Sequence, residues 1–202
     1  MRQTTPLDWF AKKYEQKLGP RFATFSRALE LLLERSGSNR AIVETGCVRE
    51  KNDFSAGYSS VLFGEFLERY GGHLHSVDIS ERNVVICRKL MRRYARFATV
   101  YQSDSIAFLR DWPRLSGDAP IDLLYLDSLD YPVYNEFPRE ESQQHCLGEL
   151  EAALSSLSTN AIVLIDDSDL PGGGKPLLAK QRLAELGWHN EIDGYQTLWI
   201  RE

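Results

Sequence analysis

Several features are scarce or missing in this chain, and each absence narrows what it can be. Cysteine is scarce: Cys47, Cys87 and Cys146 are odd in number and far apart. They build neither a disulfide framework nor a C-x-x-C zinc site, so the expected setting is reducing and cytoplasmic. No apolar run approaches a membrane span, and the first residues, MRQTTP, do not read as a secretory signal, so no membrane is expected as a partner. Basic charge is not in excess. Lys and Arg number 24 against 29 Asp and Glu, a net −5, which gives no general pull toward nucleic acid. Arg82, Arg88, Lys89, Arg92, Arg93 and Arg96 do make one segment basic, for which a solvated helix face is the default reading. Repeats, low-complexity tracts and linkers are absent, and so is the dinucleotide fingerprint G-x-G-x-x-G.

What is present is an alternation of helix-period and strand-like segments over one 202-residue domain with 43% hydrophobic residues. Two helices are expected over 7–17 and 21–35, split by Gly19-Pro20, within an N-terminal portion 1–40. Strands are expected at 41–43, 73–78, 99–102, 121–127 and 161–167, each followed by a helical stretch. The third is followed by a short helix that stops at Trp112-Pro113. Residues 188–193 and 196–201 read as a closing hairpin. Such alternation predicts an α/β, doubly wound, Rossmann-like sheet with ligand sites at the carboxyl ends of its strands.

The chain is organised around AIVETGCVREKNDFSAGYSS, residues 41–60: a β-branched run, a glycine turn, and a second glycine that opens a helical pattern. Strand, glycine turn and helix start let backbone approach a small nucleoside ligand. Several strands then end in carboxylates: Glu44, Asp78, Asp127 and the pair Asp166-Asp167, with Asp104 just past the third strand. Acidic residues do punctuate strands as turn formers and caps. Four hydrophobic strands ending alike on one rim point instead to a site. Asp78 lies 21 residues past Gly57, a spacing suited to a carboxylate that meets ribose hydroxyls.

On V-E-T-G and G-Y-S-S at 43–46 and 57–60, S-V-D-I-S at 76–80, I-D-L-L-Y-L-D at 121–127 and I-V-L-I-D-D at 162–167, the chain from Ala41 onward resembles the class I S-adenosylmethionine-dependent methyltransferases. Within them it is most similar to the metal-assisted small-molecule O-methyltransferases of the catechol type. The resemblance implies a seven-stranded sheet with a terminal antiparallel hairpin. It places Glu44 and the Gly46 turn at the methionine half of the cofactor, with Thr45, Cys47, Gly57, Tyr58 and Ser59 also among the cofactor-binding residues. Asp78 falls at the ribose and Asp104 and Ser105 at the adenine, Ile79 and Asp127 are further cofactor-binding residues, and Asp127 is also a catalytic candidate. It further implies that Asp127, Asp166 and Asp167 hold Mg²⁺ or another divalent cation, which would lower the pKa of an acceptor hydroxyl.

Two departures stand out. Residues 47–56 make a longer loop than the catechol enzymes have; a related group found with sugar and secondary-metabolite genes has a similar one. Asp130 stands where those enzymes carry a lysine base. A metal-independent reading therefore stays open, with Asp130 or His145 as base, the latter sharing a helix face with Glu149. A non-catalytic binding module is a third reading. Gly172-Gly173-Gly174-Lys175 is not a phosphate loop, because Asp169 and Pro176 replace its first Gly and its Ser/Thr; it reads as a flexible rim loop. Residues 128–142 are the best candidate for a lid over the acceptor. The expected partner is a small-molecule acceptor, and a homodimer is left open.

Overall fold

A computed structural model describes residues 6–55, 58–133 and 139–201. Its centre is a seven-stranded sheet in the order β3-β2-β1-β4-β5-β7-β6. The strands are β1 (Ala41–Thr45), β2 (His73–Asp78), β3 (Ala98–Gln102), β4 (Ile121–Leu126), β5 (Leu157–Ile165), β6 (His189–Asp193) and β7 (Thr197–Ile200). The first five run parallel, and β7 inserts antiparallel between β5 and β6. Ile42, Val43, Leu123, Leu124, Ile162 and Val163 are fully buried because helices cover both faces, which is why these strands read as continuous apolar runs.

One face carries α1 (Asp8–Leu18), α2 (Phe22–Arg35), α3 (Ser59–Tyr70) and α4 (Glu81–Leu90). In α2, Phe25, Ala28, Leu29 and Leu32 recur at helical spacing and are wholly buried. The other face carries α5 (Ser105–Arg110), α6 (Trp112–Ser116), α7 (Arg139–Ala153) and α8 (Leu177–Glu185) around Phe108, Trp112, Leu150 and Leu183. No helix among the described residues is long and apolar enough to cross a membrane.

Two boundaries differ from expectation. The short helix α5 stops at Arg110, just before Trp112-Pro113, but the pair also opens a further helix, α6, since proline in the first turn forfeits no intrahelical hydrogen bond. Strand β5 begins at Leu157, four residues before the apolar run at Ala161: a bulge lets Leu157 pair with Ile121 while the polar Thr159 and Asn160 stay exposed.

The chain order of neighbours reverses between β1 and β4, so the loops leaving these strands diverge and open a crevice at the carboxyl edge. Register lines the strand ends along that edge. Gly46 N donates to Val77 O (2.8 Å), Asp127 N to Thr45 O (3.0 Å) and Asp166 N to Leu126 O (3.2 Å).

Candidate active site

The crevice is built on the turn after β1. Gly46 has φ +79°, and a Cβ there would stand 2.2 Å from the Asp127 carbonyl oxygen, so only glycine lets the β1 and β4 ends approach this closely. The next amide, Cys47 N, donates to Asp78 Oδ2 (3.3 Å). Asp78 Oδ1 accepts from Ser80 N (2.8 Å), and Asn83 Nδ2 donates to Oδ2 (3.1 Å). Held on three sides, the Asp78 carboxylate lines two adjoining cavities that share Gly46, Asp78, Ile79 and Ser128. One extends over Cys47 and Ser59 toward Arg49 and Asp127. The other extends toward Asp104, Ser105, Leu129 and His145. Ile79 is 72% exposed at their junction, an apolar surface suited to a flat ring. Asp104 caps α5, accepting from Ala107 N (2.8 Å).

Other residues expected at the cofactor play a different part. Glu44 and Thr45 are completely buried and line neither cavity. Glu44 is enclosed by hydroxyls: Ser59 Oγ donates at 2.5 Å, Ser60 Oγ at 2.6 Å and Ser76 Oγ at 2.5 Å. Burial pushes its carboxyl up to about 7, against the three serines, which favour the charged form. It ties the end of β1 to β2 and to the start of α3. Ser59 lines the cavity but spends its hydroxyl on Glu44. Tyr58, in left-handed backbone at φ +50°, packs its ring 4.9 Å from Phe54 rather than lining the crevice. Gly57 lies outside the described residues.

Beyond Asp127 the crevice opens into a wider chamber lined by Arg21, Arg49, Asp130, Tyr131, Asp166, Asp167, Leu170 and Tyr195. The three carboxylates expected to hold a metal do meet here, but none is free. Arg21 clasps Asp166 with Nε at 3.1 Å from both oxygens and Nη2 at 2.8 Å from Oδ2. Lys175 Nζ lies 2.9 Å from Asp127 Oδ1 and 3.5 Å from Asp167 Oδ2. Tyr125 OH donates to Asp127 Oδ2 (3.2 Å) and Tyr195 OH to Asp167 Oδ1 (3.2 Å). Burial by itself disfavours a charged Lys175, yet the surrounding carboxylates outweigh it and push the ammonium up, so it is held charged. Among the described residues no group of three His, Cys, Asp or Glu side chains is arranged to hold a metal ion. As arranged, Asp127, Asp166 and Asp167 do not fit a divalent cation, because two internal cations already occupy them.

Both alternative bases are displaced from the chamber floor. Asp130 is exposed and paired with Arg49 (2.8 Å) at the chamber's side. His145 sits at the opposite cavity, its Nε2 3.2 Å from Ser105 Oγ and 3.4 Å from Glu149 Oε1; the adjacent Glu149 carboxylate pushes its pKa up despite burial. In the expected lid, Tyr131 is buried with its hydroxyl on Pro171 O (2.6 Å); residues 134–138 lie outside the described residues.

Arg21, Lys175, Tyr125 and Tyr195 escaped the sequence reading. Arg21 comes from a turn of 3₁₀ helix (Gly19–Arg21) between α1 and α2, 145 residues from its partner. Lys175 follows three glycines, all at positive φ, that fold the loop back instead of leaving it on the rim. The usable signal was a lysine eight residues beyond an Asp-Asp pair, on a stretch too glycine-rich to be a solvated helix face.

The sequence matches a family of methyltransferase domains over residues 54–168, more than half of the chain. No curated protein matches by sequence. Among solved structures the chain is similar to CalS11, a TDP-rhamnose 3′-O-methyltransferase of calicheamicin biosynthesis (14% identity, TM-score 0.64, covering 98% of this chain and 88% of that one). It is similar to a methyltransferase from Geobacter sulfurreducens (15%, 0.58, 100% and 91%). It is also similar to MycE of the mycinamycin pathway, solved with Mg and SAH (12%, 0.63, 99% and 55%). At these identities the likeness is one of fold.

Proposed function

The chain belongs to the S-adenosylmethionine-dependent methyltransferase family, and on that premise we propose that it methylates a hydroxyl of a small molecule, of sugar or natural-product type. The observation that carries this reading is Asp127. Among the described strand-end carboxylates it is the one that lines both the crevice leading to Asp78 and the chamber beyond it, where Asp53 of the loop after β1 joins it. A cofactor with its ribose on Asp78 and its base over Ile79 brings its sulfonium to the Asp127 end. An acceptor in the chamber then meets the methyl group in line. The acceptor oxygen forms a bond to the methyl carbon as the carbon–sulfur bond breaks, and the hydroxyl proton passes to Asp127. The products are a methyl ether and S-adenosylhomocysteine. The acceptor class is supported by the chamber's mixed lining of tyrosines, Leu170 and charged groups. It is supported too by the shared fold with CalS11 and MycE.

Calorimetry with S-adenosylhomocysteine tests the cofactor half. Asp78→Ala removes charged hydrogen bonds, each about 1.5–3 kcal/mol, so affinity should fall at least about tenfold with the fold intact. Unchanged affinity would put the ribose elsewhere. Incubation with S-adenosylmethionine and a panel of nucleotide sugars and polyhydroxylated natural products, read by mass spectrometry, tests the acceptor half. A methyl found on nitrogen or carbon refutes O-methylation.

A further inference from the structure

The carboxylates beneath the acceptor chamber are compensated by side chains built into the fold. Three carboxyl groups, Asp127, Asp166 and Asp167, face two internal cations, Arg21 and Lys175, which stand beside them where a divalent cation would have to sit. The two cations are 6% and 1% exposed, so they are structural members of the site and not passing surface groups. Several independent features place Lys175. Its own amide donates to Asp167 O (3.2 Å). A Cβ on Gly174 would stand 2.0 Å from that same oxygen, so the close return of the loop requires glycine. Gln143 Nε2 pins the loop by donating to Gly172 O (3.2 Å) and Gly174 O (3.0 Å). Asp167 adopts φ +57°, unusual for a residue other than glycine, and in that conformation its carboxylate reaches Lys175.

We propose that Lys175, with Arg21, stands in for a divalent cation, so that this methyltransferase site works without metal. Lys175 is a positioning residue. It holds Asp127 and Asp167 side by side from below, while Asp127 meets the acceptor. The inference takes the site from the proposed function, but the binding of metal to the carboxylates can be measured without any acceptor.

The test uses the full chain, stripped with EDTA, and Lys175→Met, which keeps length and removes charge. Mn²⁺ uptake is followed by electron paramagnetic resonance, and the thermal midpoint is read in EDTA and in millimolar Mg²⁺. The wild type should take up no stoichiometric Mn²⁺ and melt at the same temperature in both. Lys175→Met, with its carboxylates uncovered, should bind one Mn²⁺ and melt higher in Mg²⁺, because ligands of the native state stabilise it. A merely structural lysine would lower the midpoint without creating metal binding. One equivalent of Mn²⁺ on the wild type overturns the proposal, and so does a folded Lys175→Met that binds none. Should that variant not fold, the wild-type uptake decides alone. Calorimetry with S-adenosylhomocysteine on the same samples keeps the readings apart: its failure to bind removes the methyltransferase assignment of the crevice and leaves the metal result standing.

Discussion

Replacing Arg21 by methionine is the most direct test of how the site is held together. The guanidinium makes three contacts with Asp166 at 2.8–3.1 Å, donates to Ser55 O at 2.6 Å and to Tyr195 OH at 3.1 Å, and lies 4.4 Å from the Tyr195 ring centre. The Arg21 and Asp166 side chains are 7% and 2% exposed, so water cannot take over for either partner. Arg21→Met strands a buried carboxylate, a change that costs about 3–5 kcal/mol. For a chain of this size each kcal/mol lowers the melting temperature by about 2–4 °C, so a drop of roughly 6–20 °C is expected. Urea denaturation at neutral pH supplies the free energy, and the cycle is closed with Asp166→Asn and the double variant. Removing the second charge relieves the first, so the double variant should be about 1–3 kcal/mol more stable than the two losses added together. A loss below about 1 kcal/mol for Arg21→Met, the scale of an exposed pair, would refute the reasoning, as would strict additivity.

The Glu44 carboxyl titrates higher in the folded chain, at about 7 against an ordinary 4.5. The folded state therefore binds its proton more tightly than the unfolded state. Its contribution is complete below the ordinary value and is lost as pH rises through about 7, an effect of order 3 kcal/mol. Glu44→Gln should flatten stability between about pH 4.5 and 7 in urea titrations; an unaltered slope there would mean that Glu44 is not its source. Asp130, exposed and paired only at the chamber's side, should be replaceable by alanine with stability changed by less than about 1 kcal/mol. Its kcat should stay within a few-fold of wild type, and a hundredfold fall would restore Asp130 as the base.

Much of this protein was legible in its residues. Alternating apolar runs and amphipathic stretches determine the doubly wound sheet, because periodicity is a local property that burial on both faces imposes on each strand. The turn at Gly46, Asp78 at the end of β2 and Asp127 at the end of β4 could be placed for the same reason: a strand's end follows from its run. Local pattern also placed Glu44 on the rim, but not the hydroxyls of Ser59, Ser60 and Ser76 that enclose it. Those come from two other elements, and only their packing turns a rim carboxylate into a buried brace.

The charge balance of the site was likewise decided in three dimensions. Asp127, Asp166 and Asp167 read alone are three acids in want of a counter-ion. Arg21 reaches them across 145 residues from a helix turn, and Lys175 through a loop whose backward fold depends on three glycines at positive φ. Neither partnership has a period or a spacing, because Coulomb attraction acts through space and is indifferent to chain order. Which carboxylates end the strands is therefore written in the sequence, and what neutralises them is set by how the chain closes over them.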